Sequence, residues 1–363
     1  MTKLFVPTDR IGLESIQKSI SNTSRSLNEL LKRGVRIKWH LNGLYFEKTS
    51  IWPEGHYYQC GFSMDCDEGT LGILKTNGII WETLENVPES NLEITTSKIA
   101  LYSGRGAGAE FSAPLIEVLE KGGFSFTQVD DQEIRSGKLS SFDIFLVPGS
   151  PDAGECYYAG LGKLGYEKIR EFLSEKGQYF GICGGAYLPL TSYDTRNPYW
   201  LDLVEATDTE GLDYWRTGSG FVRCRIEDNK NPIFSSVALG GSSSLNLVYW
   251  EGPSITIKGN GVRSLARFES LLASGSGTTM PYWDFMDNKM AEDAIKSYYN
   301  PLTQETFNSL LLNKTAFAEA KHCGNKLLLF SPHPEMGNIG YGQRADSLNF
   351  MLVFNGLNYL SCR

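Results

Sequence analysis

Short runs almost free of polar residues, at 98–102, 144–147, 179–182 and 326–330, constrain this chain more than any other feature. A strand with one face in water alternates apolar and polar side chains, whereas a strand without alternation must be covered on both faces. Helical stretches fall between these runs, at 113–121 and 161–176, with a further strand at 125–129 and a closing helix at 343–360. Strand and helix in alternation predict an α/β fold with a doubly wound parallel sheet. Between 202 and 313 the rhythm is less regular, with strand-like pieces at 221–226, 247–250, 255–257 and 265–268. We read that stretch as an irregular insert in a domain spanning 98–363.

Residues 1–95 read as a separate small α+β accessory unit. Leu13, Ile16, Ile20, Leu27 and Leu31 recur at helical spacing over 9–32, and Gly34 stands where a helix cap is expected. Strands are expected at 35–41, 57–62, 71–74 and 79–84, and a polar linker at 85–96. At 41% hydrophobic and 12% aromatic residues, disorder is excluded for most of the chain. Asp and Glu outnumber Lys and Arg by 42 to 34, without long runs of one sign, which excludes nucleic acid or an anionic membrane surface as a partner. No apolar run reaches the ~18 residues that span a bilayer, and Pro7 and Asp9 occupy the place of a leader's apolar core. A cytoplasmic protein is expected. The seven cysteines include no Cys-x-x-Cys pair, so neither a disulfide framework nor a metal site is expected, and no cofactor.

One cysteine has a distinctive setting. Tyr179-Phe180-Gly181-Ile182-Cys183-Gly184-Gly185-Ala186 is an apolar strand that runs through a glycine turn into a helix. A nucleophile on so sharp a turn sits in strained backbone, and glycines on both sides remove the clashes. A helix N-terminus behind the sulfur favours negative charge on it. A second apolar strand ends in Ser331-Pro332-His333-Pro334-Glu335. Residues two apart on extended chain point to one side, so Glu335 can orient the His333 ring while the prolines stiffen the spacing. A thiol nucleophile needs a base and a group that fixes the base, and the tips of two strands supply all three as Cys183, His333 and Glu335.

Gly-Ile-Cys-Gly-Gly-Ala followed about 150 residues later by His-Pro-Glu resembles the class I glutamine amidotransferase-like superfamily. The resemblance covers 98–360 and implies a flavodoxin-like fold. Val147 to Asp152, Leu164 to Phe172, Gly181 to Tyr187 and Tyr249 to Pro253 are most similar to the amidotransferase-like domain at the N-terminus of fungal biotin-protein ligases. It implies Cys183 as nucleophile, His333 as base and Glu335 as its partner, with an oxyanion hole from the amides of Gly184 and of the Gly149-Ser150 turn. The resemblance also has departures. Four residues after the nucleophile the family's glutaminases usually carry a Gln that holds the substrate amide, and here stands Tyr187. Nothing resembles the Lys-Trp-Pro-Asn motif of the ligase half, so biotin transfer is not expected. The expected activity is a cysteine-dependent amidase, hydrolase or acyl transferase acting on a small-molecule or peptide amide, other than free glutamine. A non-catalytic scaffold on the same fold is the alternative.

Arg105, Glu110, Tyr187, Trp215 and Trp250 are the candidate substrate-binding residues, and Tyr214, Tyr249, Tyr282 and Trp283 could wall the same cleft. Tyr102-Ser103-Gly104-Arg105-Gly106-Ala107-Gly108, with Asp130 ending the next strand, superficially matches a dinucleotide fingerprint. The third glycine is missing and Ala113-Pro114 suggests a late helix start, so a rim loop carrying Arg105 and Glu110 is expected in place of nicotinamide binding.

Overall fold

The structure is a computed structural model, and it describes residues 3–11, 14–84, 92–191, 198–208, 217–237, 243–274, 301–337 and 346–362. The apolar runs form the parallel half of a sheet that has nine strands among the described residues. Their spatial order is Phe126–Val129, Ile99–Tyr102, Ile144–Val147, Gln178–Ile182, Asn325–Phe330, Thr315–His322, Val262–Ser274, Ser219–Ile226 and Ser244–Trp250. The first five run parallel. Successive side chains go to opposite faces: Ile99, Leu101, Ile144, Leu146, Phe180 and Phe330 pack under helices Ala109–Lys121 and Phe350–Ser361. Ala100, Tyr102, Phe145, Val147, Tyr179 and Leu329 pack under helices Asp131–Arg135 and Ala153–Glu175. Both faces are dry, which is why the runs carry no polar alternation.

Beyond Asn325–Phe330 the doubly wound parallel sheet is extended by antiparallel strands. The cause is local. Cys323 and Gly324 have φ of +50° and +87°, and a two-residue turn with both φ positive folds a strand straight back on its neighbour. Within 202–313, the described strands Ser219–Ile226, Ser244–Trp250 and Val262–Ser274 take in the expected pieces at 221–226, 247–250 and 265–268 and belong to the central sheet.

Residues 3–94 form a second sheet, in the order Glu82–Leu84, Lys3–Pro7, Gly61–Asp65, Ile37–His40, Leu92–Ile94, antiparallel throughout. Helix Ile20–Lys32 covers it, capped at its start by the Ser19 hydroxyl and stopped by Gly34 at φ +81°. Three expectations are corrected here. The helix starts at Ile20 and not at 9: before it, Arg10–Ile11 and Glu14–Ser15 pair as short strands, and Leu13 lies outside the described residues. Residues 71–74 lie in helix Glu68–Thr76, capped by Asp67, and are not a strand. The expected linker contains the edge strand Leu92–Ile94.

The two sheets are joined through helices. Asp346 accepts the N–H groups of Ile20 and Ser21, each at 2.8 Å, and Gly122 O accepts the Ser24 hydroxyl at 3.0 Å and the Asn28 amide at 2.9 Å. Among the described residues no helix is long and apolar enough to cross a membrane.

Candidate active site

Cys183 follows strand Gln178–Ile182 and opens the short helix Gly184–Tyr187, with φ +53° and ψ −113°. A positive φ is costly for a residue with a side chain, and it persists only where the surroundings enforce it. Here the surroundings do. The Cys183 N–H donates to Phe330 O of the adjacent strand at 2.8 Å. A Cβ on Gly181 would stand 2.2 Å from Gly185 O, and one on Gly185 would stand 2.1 Å from Val147 O, so only glycine lets the helix sit this close to the strands. Sγ is buried, and it donates to the backbone oxygen of Trp250 at 3.2 Å.

His333 and Glu335 stand at the tip of the neighbouring strand Asn325–Phe330 and are 0% and 1% exposed. His333 Nδ1 is 2.6 Å from Glu335 Oε1. The His333 N–H donates to Val248 O at 2.8 Å, which fixes the loop to strand Ser244–Trp250. A Cβ on Gly252 would stand 2.1 Å from Ser331 O, so this loop and the segment after Trp250 are pressed together. Burial works against a charged ring. Cys183 in its thiolate form, and Glu335, outweigh it through charge and hydrogen bonding and raise the His333 pKa to about 10. With Nδ1 on Glu335, the buried Nε2 is the ring nitrogen left for the thiol.

The expected oxyanion turn lies beside the elbow. A Cβ on Gly184 would stand 2.6 Å from the Ser150 nitrogen, so these two residues are neighbours, and Gly149 and Ser150 follow strand Ile144–Val147 after Pro148. Tyr157 donates to Pro148 O at 2.5 Å and holds the turn from behind. Tyr187 is buried and donates to Glu251 O at 3.2 Å. Burial, then the nearness of Asp208, Tyr249, Cys183 and Glu251, pushes its phenol well above the usual range, so it stays neutral. Trp250 is brought to the site both by its carbonyl and by its ring, which packs on Phe111 at 4.9 Å. Glu251 follows with φ +53°.

Other expected residues lie elsewhere. Arg105 is exposed and its N–H is held by Asp131 at 2.8 Å; no contact joins its side chain to Cys183 or His333. Glu110 lies in helix Ala109–Lys121, which starts earlier than 113 and has Pro114 inside it, against expectation. The carboxylate of Asp131, not Asp130, fills the glycine loop, bonding Tyr102 and closing on Gly104 and Gly160. Tyr214, Trp215, Tyr282 and Trp283 lie outside the described residues. Cys323, not Cys183, is the exposed thiol. Two contributors went unread in the sequence: Phe111, which stacks on His333, and the Val248 carbonyl. A backbone acceptor leaves no mark in a sequence, and Phe111 reads like any core aromatic.

Fold and site define an α/β protein with a cysteine elbow and a buried His-x-Glu pair at adjacent tips of the parallel strands. No family model matches the chain, and no curated protein does. Solved structures that match include a glutamine amidotransferase from Thermotoga maritima, at 11% identity over 73% of this chain and 98% of that one, TM-score 0.43. Another glutamine amidotransferase matches at 16% identity over 72% and 98%, TM-score 0.40, and a cytoplasmic protein of Salmonella typhimurium LT2 at 12% over 73% and 99%, TM-score 0.44. Likeness at this level carries no argument about activity, which has to come from the site.

Proposed function

We propose that this chain is a cysteine-dependent amidase, hydrolase or acyl transferase of the glutamine amidotransferase-like type. Cys183 is the nucleophile, His333 the base and Glu335 the group that fixes the base. The reading is carried by one observation: a cysteine held at positive φ on a strand-to-helix turn, next to a fully buried histidine whose Nδ1 is 2.6 Å from a carboxylate. Attack by Sγ on an amide or ester carbonyl would give a tetrahedral oxyanion beside the Ser150 and Gly184 amides. Collapse expels the amine or alcohol, protonated by His333, and leaves a thioester that water or a second nucleophile resolves. The buried, neutral Tyr187 supports a substrate other than free glutamine, because it stands at the sequence position where the family's glutaminases carry the Gln that holds the amide. Within the superfamily, the residues quoted above favour likeness to the N-terminal domain of fungal biotin-protein ligases, without the ligase reaction. The burial of Cys183 favours the second reading, a scaffold that has lost turnover.

The test is acylation by p-nitrophenyl acetate followed by peptide mapping. An acetyl group should accumulate on Cys183, disappear in Cys183→Ala and fall by at least a hundredfold in His333→Ala, while ammonia release from free glutamine stays at background. Equal acetylation of Cys183 with and without His333 would leave the scaffold reading standing.

A further inference from the structure

We propose that Phe111 is the specificity-determining residue of this site, a ring that stands where the acyl group of the substrate must come; the inference rests on the triad reading above. The Phe111 ring lies on the His333 imidazole with centroids 5.4 Å apart and planes 15° from parallel. It packs on Trp250, whose carbonyl holds the thiol. It also crowds Gly149, where a Cβ would stand 2.6 Å from its ring carbon. One side chain therefore touches the base, the ring of the residue whose carbonyl holds the nucleophile, and the oxyanion turn. A carbonyl carbon must approach Sγ to about 3–3.5 Å with its oxygen at that turn, between the same three groups. In the described state Phe111 covers this place, and the thiol rests on Trp250 O.

The backbone beneath the ring is tied down. The N–H groups of Phe111 and Ser112 donate to Gly108 O at 3.1 and 2.9 Å, and the Gly108 N–H donates to Gly149 O at 3.3 Å. Opening therefore turns the ring about its own side-chain bonds, with helix Ala109–Lys121 staying in place. The space it vacates is walled by Phe221, Val248, Trp250 and Met336, all buried and apolar. A flat, apolar acyl group takes over both the stacking on His333 and the contacts of the wall. The substrate class that follows is an amide or ester of an aromatic or otherwise flat apolar acid.

The experiment is the rate of Cys183 alkylation by iodoacetamide and by N-phenyliodoacetamide, read by peptide mapping in wild type, Phe111→Ala, Phe111→Leu and His333→Ala. Cys224, fully buried in the core, reports global unfolding. Phe111→Ala should react at least tenfold faster than wild type, and more so with the phenyl reagent, while Cys224 stays protected; Phe111→Leu should fall between. A Phe111→Ala rate within twofold of wild type overturns the proposal, as does an acceleration no larger for the phenyl reagent. If Cys224 in Phe111→Ala becomes labelled, Phe111→Leu decides: it must exceed wild type threefold with Cys224 protected, or the proposal falls. His333→Ala separates the two readings. Slowing there with no effect of Phe111 removes the plug and keeps the triad, and the reverse pattern removes the triad and keeps the plug.

Discussion

At the scale of single residues, the site is a competition between burial and charge, and His333 is where it is decided. Its ring takes up a proton on folding, because the pKa raised to about 10 stands above the ordinary histidine value of about 6.5. Stability gained this way is complete below about pH 6.5 and is lost as pH rises through about 10. The difference in unfolding free energy between wild type and His333→Gln should therefore be widest near pH 6 and narrow steadily towards pH 10 in urea titrations; a difference that widens with pH would mean the ring is buried neutral. Glu335→Gln keeps a group that can orient the ring and removes only the charge, so its acylation rate should fall by about a hundredfold, less than that of His333→Ala. These residues were legible in the sequence because their backbone demands leave marks: glycines around Cys183, prolines around His333. Phe111 acts through shape alone, and shape at one position is not written in its neighbours.

At the scale of elements, the sequence is informative where a strand is buried on both faces and ambiguous where it is not. The four apolar runs were placed correctly, but the antiparallel partners Val262–Ser274 and Thr315–His322 could not be ordered, since pairing depends on turns such as Cys323-Gly324 far along the chain. Leu71, Ile73 and Leu74 suit a strand or a helix equally; the deciding residue is Asp67, whose side chain caps the helix by accepting the Thr70 N–H at 2.7 Å. The contact between the elbow helix and its strands is tighter than any other side chain would allow. Gly185→Ala should thus cost about 3 kcal/mol or more of stability, because the clash is with the backbone of Val147, which has nowhere to move. Calorimetric melting would check it, and a change in Tm of less than a degree would show that the helix floats on the sheet.

At the scale of the whole molecule, the smaller sheet is fastened to the larger one by hydrogen bonds that no local pattern announces. Asp346 caps helix Ile20–Lys32 across more than three hundred residues. Asp346→Ala should lower stability by about 1–2 kcal/mol and speed amide exchange at Ile20 and Ser21 specifically, measured by hydrogen exchange. The larger sheet has its own long-range feature. Among the described residues, Asn325–Phe330 is the last of its strands in the chain and yet the fifth of nine in space, between Gln178–Ile182 and Thr315–His322. During synthesis the chain is made from its N-terminus, so the elbow leaves the ribosome about 150 residues ahead of the strand tip that carries His333. Until that middle strand is inserted, the growing polypeptide holds a thiol with no imidazole beside it, so on the proposed reading every incomplete copy would be inert.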